Sequence, residues 1–463
     1  MSPTEIHYPK GKIYSLKSIT KVILLTGSCL LIFLPESLAQ VNLTGFIRNY
    51  NAVKHTPGNE ILIGRNRARL NISKPLSIGE VYLSNDLQNL YSITADSIEY
   101  TLREAYVDLY FDNSDLRLGK QMLVWGRANG TFITDILTPV DVSEFLTQDF
   151  ADLRQGVTAL SYTRYYGSDF FQLVVNPVFN PNEIPEPDSR WFPRQVIPTT
   201  INTRYVENES DPQLSSVQLA GRYGFRSNLN FDLDLGVLYW HYPNPSYSKD
   251  IAISLNQPAG ALELTETFTQ SFIGFYSGTV QLFDKLLLTS ESAYYNRRSF
   301  DYLSNNLKEL NLRDPNLIEL FQIAQIFNQN EDGFLKERPY LISMIGLQYE
   351  LFDMTVSSQF VNEHIFRYDS EILQKQNYYY STLFIQRSFL RDKWSFQAFG
   401  RYNYNGKDFW INPELIYSGI DSFEAAVGSQ IFGGEDPDPF YGHLSFGTFA
   451  PNSFAYLKIS AYF

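Results

Sequence analysis

In residues 229–239, LNFDLDLGVLY, the residues Leu229, Phe231, Leu233, Leu235, Val237 and Tyr239 hold one parity, and Asn230, Asp232, Asp234 and Gly236 hold the other. Successive side chains of a strand point to opposite faces, so this stretch predicts a strand with one apolar and one ionic face. The end of the chain, FAYLKISAYF (454–463), behaves alike. Ala455, Leu457, Ile459, Ala461 and Phe463 fall on one side, and Tyr456, Lys458, Ser460 and Tyr462 on the other. Period two recurs from Val41 onward, for instance in ILIGRNRARLNISK (61–74), REAYVDLYF (103–111), SVQLAGRYGF (216–225), YLISMIGLQYEL (340–351), WSFQAFGRYNYN (394–405) and SFEAAVGSQIF (422–432).

The links between these segments alternate in length. Short ones fall at 74–79, 112–115, 166–169, 225–228, 283–285, 352–353, 391–393 and 419–422. Between them lie longer ones at 54–59, 89–98, 127–156, 180–214, 243–265, 299–337, 369–376 and 433–452, with a tight NGKD at 405–408. The expectation is an all-β chain: a transmembrane antiparallel barrel of about 18 strands, with short turns at one end and long loops at the other. Hydrocarbon offers backbone N–H and C=O groups no water, so only a closed sheet leaves none unpaired. The apolar stripe then faces lipid and the ionic stripe faces the lumen, the inverse of a soluble barrel. A soluble sandwich or propeller fits poorly, because the apolar positions form one thin stripe per strand.

The 463 residues carry 37 Lys plus Arg against 50 Asp plus Glu, a net charge of -13. This balance argues against a nucleic-acid partner, since phosphate binding needs clustered cations. Beyond the first forty residues no apolar run approaches the roughly 20 residues of a spanning helix. Aromatic residues make up 16% of the chain. Tyr239, Trp240, Tyr242, Tyr294, Tyr295, Tyr378, Tyr379, Tyr380, Tyr402, Phe409 and Trp410 gather toward the loop ends of their strands, where an interfacial girdle belongs. The β-propensity of aromatics is the alternative account.

Residues 1–39 have the form of a secretory signal peptide. Lys10, Lys12, Lys17 and Lys21 precede the apolar run Val22 to Leu34, and Ser37-Leu38-Ala39 offers small cleavage positions. Cleavage is expected between Ala39 and Gln40, leaving residues 40–463 as the barrel. The single Cys29 would leave with the leader, so the exported chain would hold no disulfide. The leader holds four Lys and two Glu; without it, 33 cationic and 48 acidic residues remain, a balance of -15.

The lumen-facing stripe is where selectivity would lie. Arg65, Arg67 and Arg69 stack at period two as a cationic ladder, with Glu80, Asp86, Glu104 and Asp108 as counter-charges on nearby strands. Arg48, Arg117, Gln121, Arg222 and Arg401 continue the pore lining. Such a ladder suits a transverse field across a diffusion pore, or a track for an anionic polymer. The other reading is that these charges pair and stiffen the wall. Lys120 breaks the alternation, through a bulge at Gly119 or by snorkelling at the interface.

Segment 127–156, RANGTFITDILTPVDVSEFLTQDFADLRQG, mixes apolar residues with Arg127, Asp135, Asp141, Glu144, Asp149, Asp152 and Arg154. A solvated loop has no need of Ile133, Ile136, Leu137, Val140, Val142, Phe145, Leu146, Phe150 and Leu153. These predict a folded insert that packs inside the barrel as a constriction; an ordered external cap is the alternative.

The run LREAYVDLYFDNSDLRLGKQMLVWGRANG, with the later DVSEFLTQDFADLRQG, resembles a porin-like family of bacterial outer-membrane β-barrels, distantly similar to alginate-export-type porins. The likeness rests on Glu104, Ala105 and Tyr106; Arg117, Gly119, Lys120 and Gln121; Trp125 and Gly126; Pro139 and Asp141; and Asp149, Phe150 and Asp152. The family often has Arg where this chain has Lys120. The resemblance covers about 60 residues. It implies a monomeric barrel with an internal constriction. The terminal strand ending in Phe463 is similar to the signal by which the barrel-assembly machinery recognises such chains.

Catalysis is not expected. After the leader only His55, His241, His364 and His443 remain, and none accompanies a marked nucleophile. The acidic EDPDP at 435–439 is a solvated loop before it is a Ca²⁺ site, so neither metal nor cofactor is expected. The resulting expectation is a channel in the outer membrane of a Gram-negative-type bacterium, passive, for polar solutes with anions among them. The alternatives are an export pore for an anionic polysaccharide and a barrel-anchored surface adhesin or receptor.

Overall fold

The computed structural model describes residues 41–463 except 56–60, 92–95, 187–188, 193–201, 207–215, 228–229, 255–256, 284, 312–315 and 436–441. The leader with its cleavage position, Leu229, and most of EDPDP lie outside the described residues. The strands in the first half are β1 (Asn42–Lys54), β2 (Ile61–Leu76), β3 (Gly79–Tyr91), β4 (Asp96–Phe111), β5 (Ser114–Gln121), β6 (Val157–Tyr166), β7 (Asp169–Asn176), β8 (Asn202–Val206), β9 (Gln218–Ser227) and β10 (Phe231–His241). They continue with β11 (Ser246–Ser254), β12 (Gln257–Thr267), β13 (Gln270–Leu282), β14 (Leu286–Asp301), β15 (Leu335–Leu351), β16 (Met354–Ile365), β17 (Asn377–Phe389), β18 (Trp394–Asn403), β19 (Asp408–Ile420), β20 (Phe423–Gly434) and β21 (Phe454–Tyr462).

Eighteen of these form one antiparallel sheet. Neighbours in sequence pair all the way round, skipping β8, β11 and β12, and β1 pairs with β21 to close the ring. Gly45 and Phe463 exchange backbone hydrogen bonds at 2.9 and 3.1 Å, so the last residue completes the seam. Short turns sit at one end. The link between β15 and β16 is two residues, Phe352 and Asp353, both left-handed at φ 48° and 59°, the twist that a two-residue antiparallel hairpin requires.

Alternation decides which way each side chain looks. On β10, Leu235 and Val237 are 50% and 69% exposed while Asp234 between them and the turn is 2% exposed. On β21, Leu457 is 45% exposed and Lys458 6%. A closed sheet with an apolar exterior and ionic residues inside is the membrane-spanning arrangement.

Three expectations are corrected. First, the girdle is only partly external. Tyr294 and Tyr402 are exposed, but Trp240, Tyr295, Tyr378, Tyr380 and Trp410 are buried inside the ring. They share an inward parity and pack with Trp125, Ile133, Ile136 and Leu137 from the segment after β5, or, for Trp410, with Phe145, Trp191, Phe432, Phe446 and Phe449. The loop-end half of the interior is therefore an apolar core and not a uniformly polar lining. Second, two of the long links carry the strands β8, β11 and β12, which form a separate three-stranded sheet. A third carries helices α1 (Asn305–Lys308) and α2 (Leu317–Asn328), the latter opened by a capping box at Asn316 and Glu319. Third, the pairing of β5 runs unbroken through Gly119 and Lys120. Lys120 is half-buried. The bulge lies across the sheet on β4, where Arg103 is the extra residue opposite Ser84 and Asn85.

Candidate functional site

The segment between β5 and β6 does not stay at the rim. Its first part reaches the wall formed by β10 and β13 to β17. The Arg127 guanidinium donates to Asp234 at 3.0 Å and to Thr279 at 2.7 Å. The Arg127 backbone N–H donates to the Glu291 carboxylate on β14, and Thr134 donates to the same group at 3.0 Å. Thr131 and Tyr380 share a hydrogen bond of 2.7 Å. Gly130, at φ 70°, lies where a Cβ would stand 2.1 Å from the Phe399 ring, so only glycine serves both its backbone and this contact.

Its later part reaches the opposite wall. Asp152 accepts from Arg69 at 2.9 Å, Arg67 at 3.1 Å and Arg48 at 3.3 Å. Asp149 accepts from Arg48 at 2.8 Å and Lys458 at 3.1 Å, and Glu144 pairs with Arg65. Arg103 donates to the backbone oxygens of Asp152 and Arg154. Going round the ring, β14 is nine strands from β2 in either direction, counting β3 to β7, β9, β10, β13 and β14 one way and β1, then β21 back to β14, the other. The two anchorages are diametrically opposite, and the segment crosses the barrel.

Within the segment, Arg154 holds Asp135 at 2.7 Å. Burial raises the Asp135 carboxyl above its ordinary range despite Arg154. Burial also penalises the Asp152 carboxylate, but Arg69, Arg67, Arg103 and Arg48 outweigh it and hold that group below the usual carboxylate value. Asp141 is turned into its own loop, accepting from Ser143 and Gln148. Phe145 sits at φ 57°, unusual for a bulky residue, at the centre of rings from Phe449 (4.4 Å), Phe432 (5.4 Å) and Trp191 (5.8 Å).

The remaining lining residues divide. Asp86 takes Arg69 in a bidentate pair of 2.7 Å bonds, and Asp108 takes Arg117 likewise, with Tyr106 beneath the Arg117 guanidinium at 4.0 Å. Glu104 accepts from the Met122 backbone at 2.8 Å. Gln121 is fully buried and donates to the Ala159 carbonyl. Glu80 lies half-buried on the Asp86 face of β3, away from the ladder network. Arg222 donates to Gln172 and lies over Trp125 at 4.8 Å. Arg401 lies over Tyr380 at 3.7 Å and donates to Asn403, so it belongs to the loop-end core and not to the ladder. Sequence inspection passed over Arg103, whose inward turn depends on the bulge, and Trp191, which lies in a stretch without periodicity.

His443, in the last long loop, stacks flat on Tyr378 at 3.9 Å and accepts a hydrogen bond from the Lys375 backbone. Burial, with Arg298, Lys375 and Arg401 nearby, lowers it to about 3.

No family model matches the chain, and no curated protein does. Among solved structures it is similar to Pseudomonas aeruginosa OccK8 (OprE), with a TM-score of 0.50 and 8% identity over 91% of this chain and 98% of that one. It is also similar to Acinetobacter baumannii OccAB2, with a TM-score of 0.50 and 9% identity over 91% and 98%. At such identities the likeness is one of architecture: a closed antiparallel barrel of 18 strands.

Proposed function

We propose that this chain is an outer-membrane channel through which small polar solutes, anions among them, diffuse passively past the segment 127–156. One observation carries the reading: a segment anchored by ionic and hydroxyl contacts to opposite walls of an 18-stranded barrel. Barrels of 16 to 18 strands leave an aqueous lumen, and a bar across that lumen narrows it without removing it. A barrel serving only as an anchor for surface loops has no use for a cross-bar. A track for a long carboxylated polymer fits less well, because the Arg65, Arg67 and Arg69 guanidiniums are engaged by Glu144, Asp152 and Asp86. The membrane would be the outer one of a Gram-negative-type bacterium, reached after cleavage near Ala39, with Phe463 presented to the assembly machinery and the short turns toward the periplasm.

Planar-bilayer recording tests this. The intact protein should pass a small ion current, and deletion of 127–156 should raise it several-fold. Absence of current from both proteins would leave the barrel as an anchor. The two parts of the reading separate with Arg67→Glu, which should weaken anion preference; unchanged reversal potentials would make the ladder structural only.

A further inference from the structure

Between the ladder and the cross-bar lies a recess of about 20 Å³, lined by Arg48, Tyr50, Arg65, Arg67, Thr147, Gln148, Asp149, Asp152 and Lys458. Its size admits one water-sized particle. Two polar groups at its wall are buried without a partner: the Tyr50 hydroxyl and the Arg65 Nε. Both residues are more than nine-tenths buried and are direct cross-strand neighbours on β1 and β2. An orphaned buried donor is costly and calls for an acceptor.

Both aspartates of the lining are already engaged. Both oxygens of Asp149 receive N–H groups, from Lys458 and from Arg48, and both oxygens of Asp152 do, from Arg69, Arg67 and Arg48. Four of the lining residues are cations and two are carboxylates. Arg65 pairs with Glu144, apart from the group in which Arg48, Arg67, Arg69 and Lys458 share Asp149, Asp152, Asp86 and Glu414.

We infer that this recess binds a single halide-sized inorganic anion, held by the Tyr50 hydroxyl and the Arg65 Nε–H, which seats the cross-bar on the arginine ladder. A halide accepts from both donors and brings negative charge to a recess whose lining holds four cations and two carboxylates. A water would also accept from the donors, but it brings no charge and would add two protons beside oxygens already receiving them. The site does not depend on the transport reading, since it is defined in the closed, docked protein.

The test uses the full barrel in detergent. Thermal unfolding is followed in sodium chloride and in sodium gluconate at equal ionic strength, for the native chain and for Tyr50→Phe, which keeps the ring and its stacking on Tyr456. Chloride should protect the native chain, and Tyr50→Phe should need about tenfold more chloride for the same protection, the effect of one lost hydrogen bond to an ion. Equal behaviour of the native chain in the two salts overturns the proposal. Crystals grown in sodium bromide provide a second measurement. An anomalous peak within hydrogen-bonding reach of Tyr50 and Arg65 supports the site; ordered water there, without a peak, overturns it.

Discussion

Three guanidiniums, those of Arg48, Arg67 and Arg69, converge on the Asp152 carboxylate within 3.3 Å, and all three have no more than a sixth of their side chain exposed. Removing one member of such a group leaves buried charge without compensation, at a cost of about 3–5 kcal/mol. Asp152→Ala should therefore release the cross-bar from the β2 wall, read as faster amide exchange through residues 141–155 with the strands unchanged; protection equal to the native chain would contradict the pairing. The same carboxylate sets an acid response. Its docked value is below the usual one, so its contribution is full above the ordinary carboxylate range and is lost as pH falls through the docked value. Docking at this wall should hold from neutrality down to about pH 4 and weaken only below. His443 has the same sign but an earlier onset. A released loop takes up a proton below the usual value of 6.5 while the packed ring resists until about 3, so the loop should loosen progressively across that interval. Exchange of residues 442–449, measured against pH, checks it.

Among elements, the cross-bar owes its course to aromatic packing as much as to charge. Phe145 keeps a left-handed backbone because four rings surround it. Phe145→Ala removes that cluster's centre and should destabilise the region by about 3–5 kcal/mol, seen as protease cleavage near 145 in otherwise intact barrels; resistance equal to native would place the strain elsewhere. The strands themselves are local features, and period two in residues 229–239 or 454–463 announces them without help from the rest of the chain. The partners of the ladder are not local. Nothing in Arg65, Arg67 and Arg69 tells that Glu144, Asp152 and Asp86 will meet them, because the meeting depends on a chain reversal more than 70 residues on for two of the three. Likewise Trp240 and Tyr380 look alike in sequence to the exposed Tyr294 and Tyr402; only strand parity, read jointly with the segment that crosses the lumen, separates inner rings from outer ones.

For the whole molecule, the decisive quantity is which face meets hydrocarbon. Spin labels placed at Leu233 and Leu457 should report an acyl-chain environment in reconstituted vesicles, and labels at Asp234 and Ser460 should not; an aqueous signal at the first pair would overturn the membrane orientation. Closing the ring also has a consequence for how the protein is made. The anchors of the cross-bar are drawn from β1, β2, β4, β10, β13, β14, β17 and β21, that is, from the beginning, middle and end of the chain. While synthesis or insertion is incomplete, Asp149 has only one of its two cationic partners, since Lys458 arrives last. A chain shortened by its final hairpin would thus keep most of its strands yet hold Asp149 through Arg48 alone, so a fully paired Asp149 can serve as a built-in marker that the last strand has joined the first.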